Sequence, residues 1–408
     1  MTEVRKVRRS NIPMILMIFA VVVFGIIILY SVSGPQGYAK GSSMFYVSKQ
    51  IWFTVAGLIM CLVVSFMPIN FFKNPMIWGT AYVAGFLLIV YTALFGTDLN
   101  GAQRWISIGS DFMFQPSEVV KISTVLSLAG YRSWISDMRK KGKFKYSSKN
   151  RRLKDAFFDF ILPVAAALIV DIFILAQPHL SCFLIVGFVT FMCMINSGIS
   201  WKSWVIGGGV VLVFAIAAGL IFYLANMEKV NARFAHVFQR LDIYAAQSGD
   251  ESIEISKDES RQVDNAHNAL GSGGLWGRGL GNSRAKYNYV SEAQNDYIFS
   301  IYVEETGFVG GALLILMYMI MFAMCFMVIL RADSVFSRMI ATGCTSLIMI
   351  QVLFNIAVEL QVLPSTGVTL PFVSYGGTAQ VFLLIAYGMI LCVSRSGTVP
   401  AGSRGEKR

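Results

Sequence analysis

Long apolar runs separated by short polar breaks dominate the chain. They cover 13–32, 46–67, 76–95, 117–134, 157–175, 180–195, 205–225, 308–330, 339–360 and 379–394. A helix needs about 20 apolar residues to cross a hydrocarbon core about 30 Å thick. The pattern therefore predicts an all-α integral membrane protein with about ten transmembrane helices, a single polytopic domain over 1–408. The first run, Pro13 to Val32, follows a basic head (Arg5, Lys6, Arg8, Arg9). It is longer than a signal-peptide core and has no clean cleavage site after it, so it reads as a retained span. The stretch Asp296 to Leu330 holds 35 residues, about 52 Å as one helix, too long for a single straight span. A short outer helix from Asp296 is expected, then a break near Thr306-Gly307 and the spanning helix beyond it.

Composition supports this reading. Of 408 residues, 55% are apolar and only 14% charged, against about 25% charged in ordinary soluble chains. That is too little to coat soluble domains of this size, and it excludes disordered, disulfide-rich secreted and soluble nucleic-acid-binding classes. The net charge of +11 then reads as orientation rather than as a nucleic-acid footprint. The segment 135–155 carries nine Lys and Arg, whereas 361–378 has none. By the positive-inside rule the basic loop and both termini are cytoplasmic. One connection, 226–295, is a large outer loop between helices 7 and 8 with eight basic and nine acidic residues. Long loops escape the charge rule and are commonly functional or disordered. An amphipathic helix is expected over Met227–Leu241 and a mobile polar stretch over 247–260. The glycine-dense end, Gly271 to Gly281, needs special backbone geometry.

Nucleotide-binding loops and nucleophile elbows are missing. The six cysteines lie in apolar runs and read as packing residues. The three histidines are far apart, so a zinc site is not expected. Chemistry must rest on carboxylates and basic residues at the outer face, where four clusters stand out. In Gln115-Pro-Ser-Glu118-Val-Val-Lys121, proline suits a first helical turn and Glu118 its dipole. That is a helix start with an i,i+3 pair, or, with Arg104 beside Trp105, an anion site in which Arg104 holds phosphate and Lys121 needs an anionic partner. Asp296 opens an apolar helix, either as its N-cap or as a general base partly desolvated beside lipid, near Lys286. Glu304-Glu305 either marks the helix break or is functional. The uncharged Pro364 to Gly377 segment is a re-entrant turn or a rigid wall presenting backbone amides to an anion or sugar.

Taken together these motifs resemble the SEDS family (shape, elongation, division and sporulation) of FtsW, RodA and SpoVE proteins. The matching elements are Arg104-Trp105, Gln115-Pro-Ser-Glu-x-x-Lys121, the glycine run to Gly281, Asp296-x-Ile-Phe-(x)4-Glu304-Glu305-x-Gly307, and Pro364-x-Thr-Gly-(x)3-Pro-Phe-x-Ser374-Tyr-Gly-Gly377. The resemblance implies a peptidoglycan glycosyltransferase of the cytoplasmic membrane that polymerises lipid II at the outer face and releases undecaprenyl diphosphate. The family's essential aspartate falls on Asp296, as base for the acceptor hydroxyl. Arg104, Lys121 and Lys286 are then candidates to neutralise the diphosphate, with Trp105, Glu118, Gln262, Glu305 and Ser374 also on the substrate side. A class B penicillin-binding protein transpeptidase is the implied partner. The need for a metal stays open at this point: a divalent cation (Mg or Mn) could bridge diphosphate and carboxylate, and no dedicated ligand set is visible. Gly-Leu-Gly-Asn-Ser leans towards the division type, whose place is the septum.

The chain departs from the family pattern twice. Gln-Pro-Asp-Leu-Gly reads Gln177-Pro-His179-Leu-Ser181, and Leu-Pro-Glu-x-His-Thr-Asp reads Val290-Ser-Glu-Ala-Gln-Asn-Asp296. Asp171 and Glu359 are intramembrane carboxylates that neither residue chemistry nor resemblance explains. Two other functions compete with catalysis: flipping lipid II across the membrane, and acting as a non-catalytic scaffold for a transpeptidase.

Overall fold

The computed structural model describes all residues except 1–10, 100–101, 110–111, 143–150, 178, 226–241, 243, 246–256, 288–292 and 397–408. The amphipathic helix expected over Met227–Leu241 and most of the polar stretch 247–260 lie outside the described residues. The chain runs through α1 (Ile12–Tyr38), α2 (Phe45–Phe66), α3 (Ile69–Lys73), α4 (Pro75–Phe95) and α5 (Pro116–Lys140). It continues through α6 (Arg151–Ala156), α7 (Leu162–Ala176), α8 (Leu180–Ile195), α9 (Trp201–Ala225), α10 (Lys257–Ser272), α11 (Ile298–Leu330), α12 (Val335–Glu359) and α13 (Thr378–Ser396). Each of the ten apolar runs falls on a helix. Seven helical segments among the described residues are long and apolar enough to cross a membrane: α1, α2, α4, the continuous Arg151–Ala176 unit, α11, α12 and α13. Helix α8 is shorter, and α5 dilutes its apolar run with Glu118, Lys121 and Arg132.

Local chemistry sets the helix starts. Asn74 caps α4 by accepting from Met76 N at 3.0 Å, ahead of Pro75. Ser334 caps α12 through Ser337 N at 3.1 Å. Proline opens α5 with Glu118 in the first turn and Arg139 and Lys140 in the last, as the helix dipole favours. Between α6 and α7 the backbone widens into a π-helical turn, Phe157–Ile161, just before Pro163. There Asp159 is held by Arg139 at 2.8 Å and Arg132 at 3.2 Å, both from α5.

The all-helical expectation needs one correction. Residues 97–114 fold into a three-stranded antiparallel ribbon, β1 (Thr97–Leu99), β2 (Ala102–Ile108) and β3 (Phe112–Phe114), with β2 central. Trp105 pairs with Thr97 and Ile106 with Phe114. The fold is mostly helical, with this ribbon between α4 and α5.

Helices α12 and α13 are the most enclosed, their faces lined by residues such as Ile340, Leu347, Leu384 and Ile390. The 364–377 segment turns into this core: Leu370, Phe372 and Val373 are buried, and Tyr318 of α11 donates its hydroxyl to Pro371 O. Tyr318 lies 11 residues past Gly307, about 16 Å along the helix, so the segment is re-entrant. Gly25 of α1 permits the approach, since a Cβ there would sit 2.2 Å from Phe372 O. Non-helical backbone at such depth is tolerated only when protein surrounds it.

Helix α11 breaks where expected. Gly307 has φ 73 and ψ −173 inside an otherwise helical run. A break frees carbonyls before it and amides after it, and the glycine run satisfies both. Arg278 N and Gly279 N donate to Glu304 O and Glu305 O at 3.0 and 2.9 Å. In return Phe308 N and Val309 N donate to Gly274 O and Leu275 O at 2.8 and 3.2 Å. The loop thus splices the helix. Gly277 (φ +76) has no room for a side chain, because its Cβ would meet Glu305 O at 2.3 Å, whereas Gly274 (φ +57) has nothing within 4 Å. Gly277→Ala is expected to cost about 3 kcal/mol, from left-handed strain plus overpacking. Gly274→Ala is expected to cost only about 1 kcal/mol. Thermal unfolding in detergent checks the contrast, and equal shifts would contradict the splice.

Candidate functional site

Three groups of polar side chains lie around the Asp296 turn, the start of α5 and the end of the glycine run. The first surrounds Asp296. The turn at 293–297 leads into α11, whose N-cap is Tyr297 with no side-chain cap of its own. Asp296 is therefore not the helix cap, contrary to the simpler of its two readings. The free amides of Phe299 and Ser300 are taken instead by Glu359, from the end of α12, at 3.3 and 2.5 Å. Glu359 is buried and within electrostatic range of Asp296. Asn355, one turn earlier on α12, donates to Asp296 O and Val368 O, both at 2.9 Å. Tyr375 N donates to Gln294 O at 2.9 Å, so the re-entrant segment buttresses the same turn. Asp296 itself is half-buried.

From Leu370 onward, most amides of the re-entrant segment are taken within the protein. Ser374 N and Val373 N donate to Leu370 O, Leu370 N to Ser374 Oγ, and Gly376 N and Gly377 N to Gln50 Oε1. Three of these donors are consumed within the segment and two by Gln50, remote in sequence. Ser374 is buried and holds the turn through that 2.9 Å contact from Leu370 N. Burial and the neighbouring Tyr46 push the Tyr375 phenol up from its ordinary pKa, keeping it neutral.

The second group lies at the start of α5. Lys121 Nζ meets Glu118 Oε1 at 2.7 Å, both buried, so Lys121 has its anionic partner on its own helix. The buried Cys182 thiol lies in the field of this pair and of Asp171. The neighbouring Ser181 donates to Thr366 O at 2.5 Å, tying this group to the segment that also carries Val368. Arg104, half-buried on β2, donates Nε to Gln177 O at 3.4 Å, and Gln177 Nε2 donates to Ile89 O at 2.8 Å. Successive strand residues face opposite ways, so Arg104 and Trp105 diverge rather than forming one patch.

The third group fastens the glycine loop. Lys286 Nζ donates to Glu305 Oε1 at 2.7 Å, to Gly281 O at 2.6 Å and to Ser31 O at 3.2 Å. An ammonium has three N–H groups, so this set uses all of them within the protein. The Ser31 hydroxyl donates to Glu305 Oε2. Glu304 accepts from Ser283 Oγ at 2.5 Å, Arg284 N at 3.1 Å and Ala285 N at 3.2 Å, with Arg278 Nη1 at 3.3 Å. Lys286 is thereby a fastener in this conformation, and the two adjacent carboxylates do more than mark the break.

Gln262 lies on α10, and its side chain is outside the described residues. No group of three or more His, Cys, Asp or Glu side chains suited to a metal ion occurs among the described residues. Glu359 and Asn355 entered no candidate set from sequence, since their partners lie about 60 positions away. The one available signal was the expense of a carboxylate in an apolar helix.

Fold and site together define a polytopic helical membrane protein with a carboxylate-centred site at one end of its bundle. The sequence model of the FtsW/RodA/SpoVE family, described as cell cycle protein, matches residues 12–398, and the chain belongs to that family. It is 30% identical over 381 residues to the probable peptidoglycan glycosyltransferase FtsW of Lactococcus lactis subsp. lactis (strain IL1403), covering 91% of this chain and 89% of that protein. It is 29% identical over 393 residues to stage V sporulation protein E of Bacillus subtilis (strain 168), covering 94% and 97%. Among solved structures, the fold is similar to a chain of a peptidoglycan synthase complex described for its coordination of polymerization and crosslinking. That match has TM-score 0.70 and 23% identity over 95% of this chain and 98% of that one. Thermus thermophilus rod shape determining protein RodA is also similar, with TM-score 0.62 and 23% identity over 95% and 97%.

Proposed function

We propose that the chain is a peptidoglycan glycosyltransferase that polymerises lipid II at the outer face of the cytoplasmic membrane. It would do so as a ten-span protein with both termini inside. Asp296 acts as general base. It takes the proton from the 4-hydroxyl of the acceptor N-acetylglucosamine as that oxygen bonds the donor's anomeric carbon. The anomeric carbon–oxygen bond to diphosphate breaks, and undecaprenyl diphosphate leaves with the electron pair. The leaving group is already activated, which accords with the missing nucleotide motifs. The observation that carries this reading is the Asp296 turn. A half-buried carboxylate stands beside a helix N-terminus whose amides another carboxylate already caps, so its task lies elsewhere than in capping. Family membership supports the substrate, since relatives carry the glycosyltransferase name. The likeness to a chain of a peptidoglycan synthase complex supports a partner, and we assign it to a class B penicillin-binding protein transpeptidase.

Arg104 and Lys121 are the cations assigned to the diphosphate, with Glu118 setting the position of Lys121. Arg104→Ala is expected to weaken lipid II binding about 10- to 150-fold, the range for a lost hydrogen bond to a charged group, while unfolding temperature stays near the parent's. Unaltered affinity in the stable variant would remove Arg104 from the diphosphate site. The function itself is tested with the purified chain, its cognate transpeptidase and labelled lipid II. Glycan polymer is the expected product. Movement of lipid II across liposomes without polymer would establish a transporter instead, and neither polymer nor movement would leave a scaffold.

A further inference from the structure

Glu359 is a buried carboxylate at the end of a spanning helix, and the chemistry proposed for Asp296 makes no use of it. Its position is specific. A helix start leaves its first amides without intrahelical acceptors and with a partial positive charge. In α11 the first amide closing back within this start is Ile301 N, onto Tyr297 O at 3.4 Å. Phe299 N and Ser300 N, just before it, point at the two oxygens of Glu359. An aspartate two residues ahead of the first helical residue is the local carboxylate that such amides would draw in. Asn355 and Glu359 are four apart on α12 and so share a face. Asn355 holds the carbonyl of Asp296, and Glu359 holds the amides two and three residues before Tyr302. One helical face thus grips the backbone on both sides of the Asp296–Tyr297 step.

We propose that Glu359, supported by Asn355, is the positioning residue for Asp296: it caps α11 in place of the aspartate and so keeps the Asp296 carboxylate directed at substrate. The inference rests on Asp296 being the general base. Without Glu359, the two amides pull the Asp296 carboxylate onto the helix end. The base is then misplaced by an ångström or more while the binding surface stays intact, a displacement that costs about 100-fold in rate. Glutamine at this position keeps an acceptor oxygen for one of the two amides and turns its NH2 towards the other, so it holds the helix start in part, and alanine does not hold it at all.

The test compares the full chain with its transpeptidase partner as parent, Glu359→Ala, Glu359→Gln and Asp296→Asn, in lipid II polymerisation kinetics. Hydrogen exchange over residues 296–303 is measured alongside. The expected result is a kcat for Glu359→Ala lowered about 10- to 100-fold at near-parental KM, with faster exchange over the segment. Glu359→Gln keeps one of the two contacts and should fall between parent and Glu359→Ala, faster than Glu359→Ala by about threefold or more. If Asp296→Asn is inactive but Glu359→Ala works at the parent rate, positioning is overturned and the base assignment stands. Equal losses for Glu359→Ala and Glu359→Gln also overturn it, because the acceptor that glutamine keeps would then count for nothing. An active Asp296→Asn overturns the base assignment and the positioning role with it.

Discussion

Lys286→Met is expected to destabilise the protein by about 3–5 kcal/mol, the range for removing one partner of a buried ion pair. Methionine fills much of the same space, so the loss is mainly electrostatic. Glu305 is 1% exposed and would keep only the Ser31 hydroxyl against its charge. The carbonyls of Gly281 and Ser31 would lose their donor as well. Because the loop splices the break in α11, the damage should spread to the helix, and unfolding in detergent should begin at lower temperature. A second change, Lys286→Met with Glu305→Gln, should restore much of the stability, since a neutral amide tolerates burial and still accepts from Ser31. That recovery separates a fastening role from a direct role on the diphosphate. A Lys286→Met variant as stable as the parent, yet unable to bind lipid II, would return Lys286 to the substrate.

The parts of this arrangement visible in sequence are those with a local physical signature. Ten apolar runs mark ten helical segments, because burial in lipid demands continuous apolar length. The break at Gly307 was visible because Asp296 to Leu330 exceeds the bilayer. The Glu118–Lys121 pair follows from i,i+3 spacing on one helix. The ribbon at 97–114 has strands of three, seven and three residues, too short to show an alternating period against the flanking apolar helices. The glycine run advertised unusual backbone but not its purpose, since its acceptors and donors lie some 30 positions later, around Gly307. Where the amides of the 364–377 segment go is illegible for a related reason. Glycine and proline content shows that amides are present, not that Gln50, more than 320 positions away, already accepts from two of them. Glu359 is the plainest case. An intramembrane carboxylate signals function through its cost, yet only the fold reveals that it faces a helix end 60 residues distant.

The central claim is that Asp296 is the base of a glycosyl transfer. The base assignment has a definite size. General base catalysis contributes about 10²–10⁴-fold, and asparagine keeps the shape of aspartate while losing its ability to take a proton. The turn should survive the change, because its backbone is held by Asn355, Glu359 and the Tyr375 amide rather than by the aspartate's own side chain. Lipid II affinity should therefore persist while turnover falls. The most direct measurement is the initial rate of glycan polymer formation from lipid II by Asp296→Asn in complex with its transpeptidase, at saturating substrate. The rate should fall about 10²–10⁴-fold with lipid II binding retained. Polymerisation at the parent rate by that variant would contradict the account.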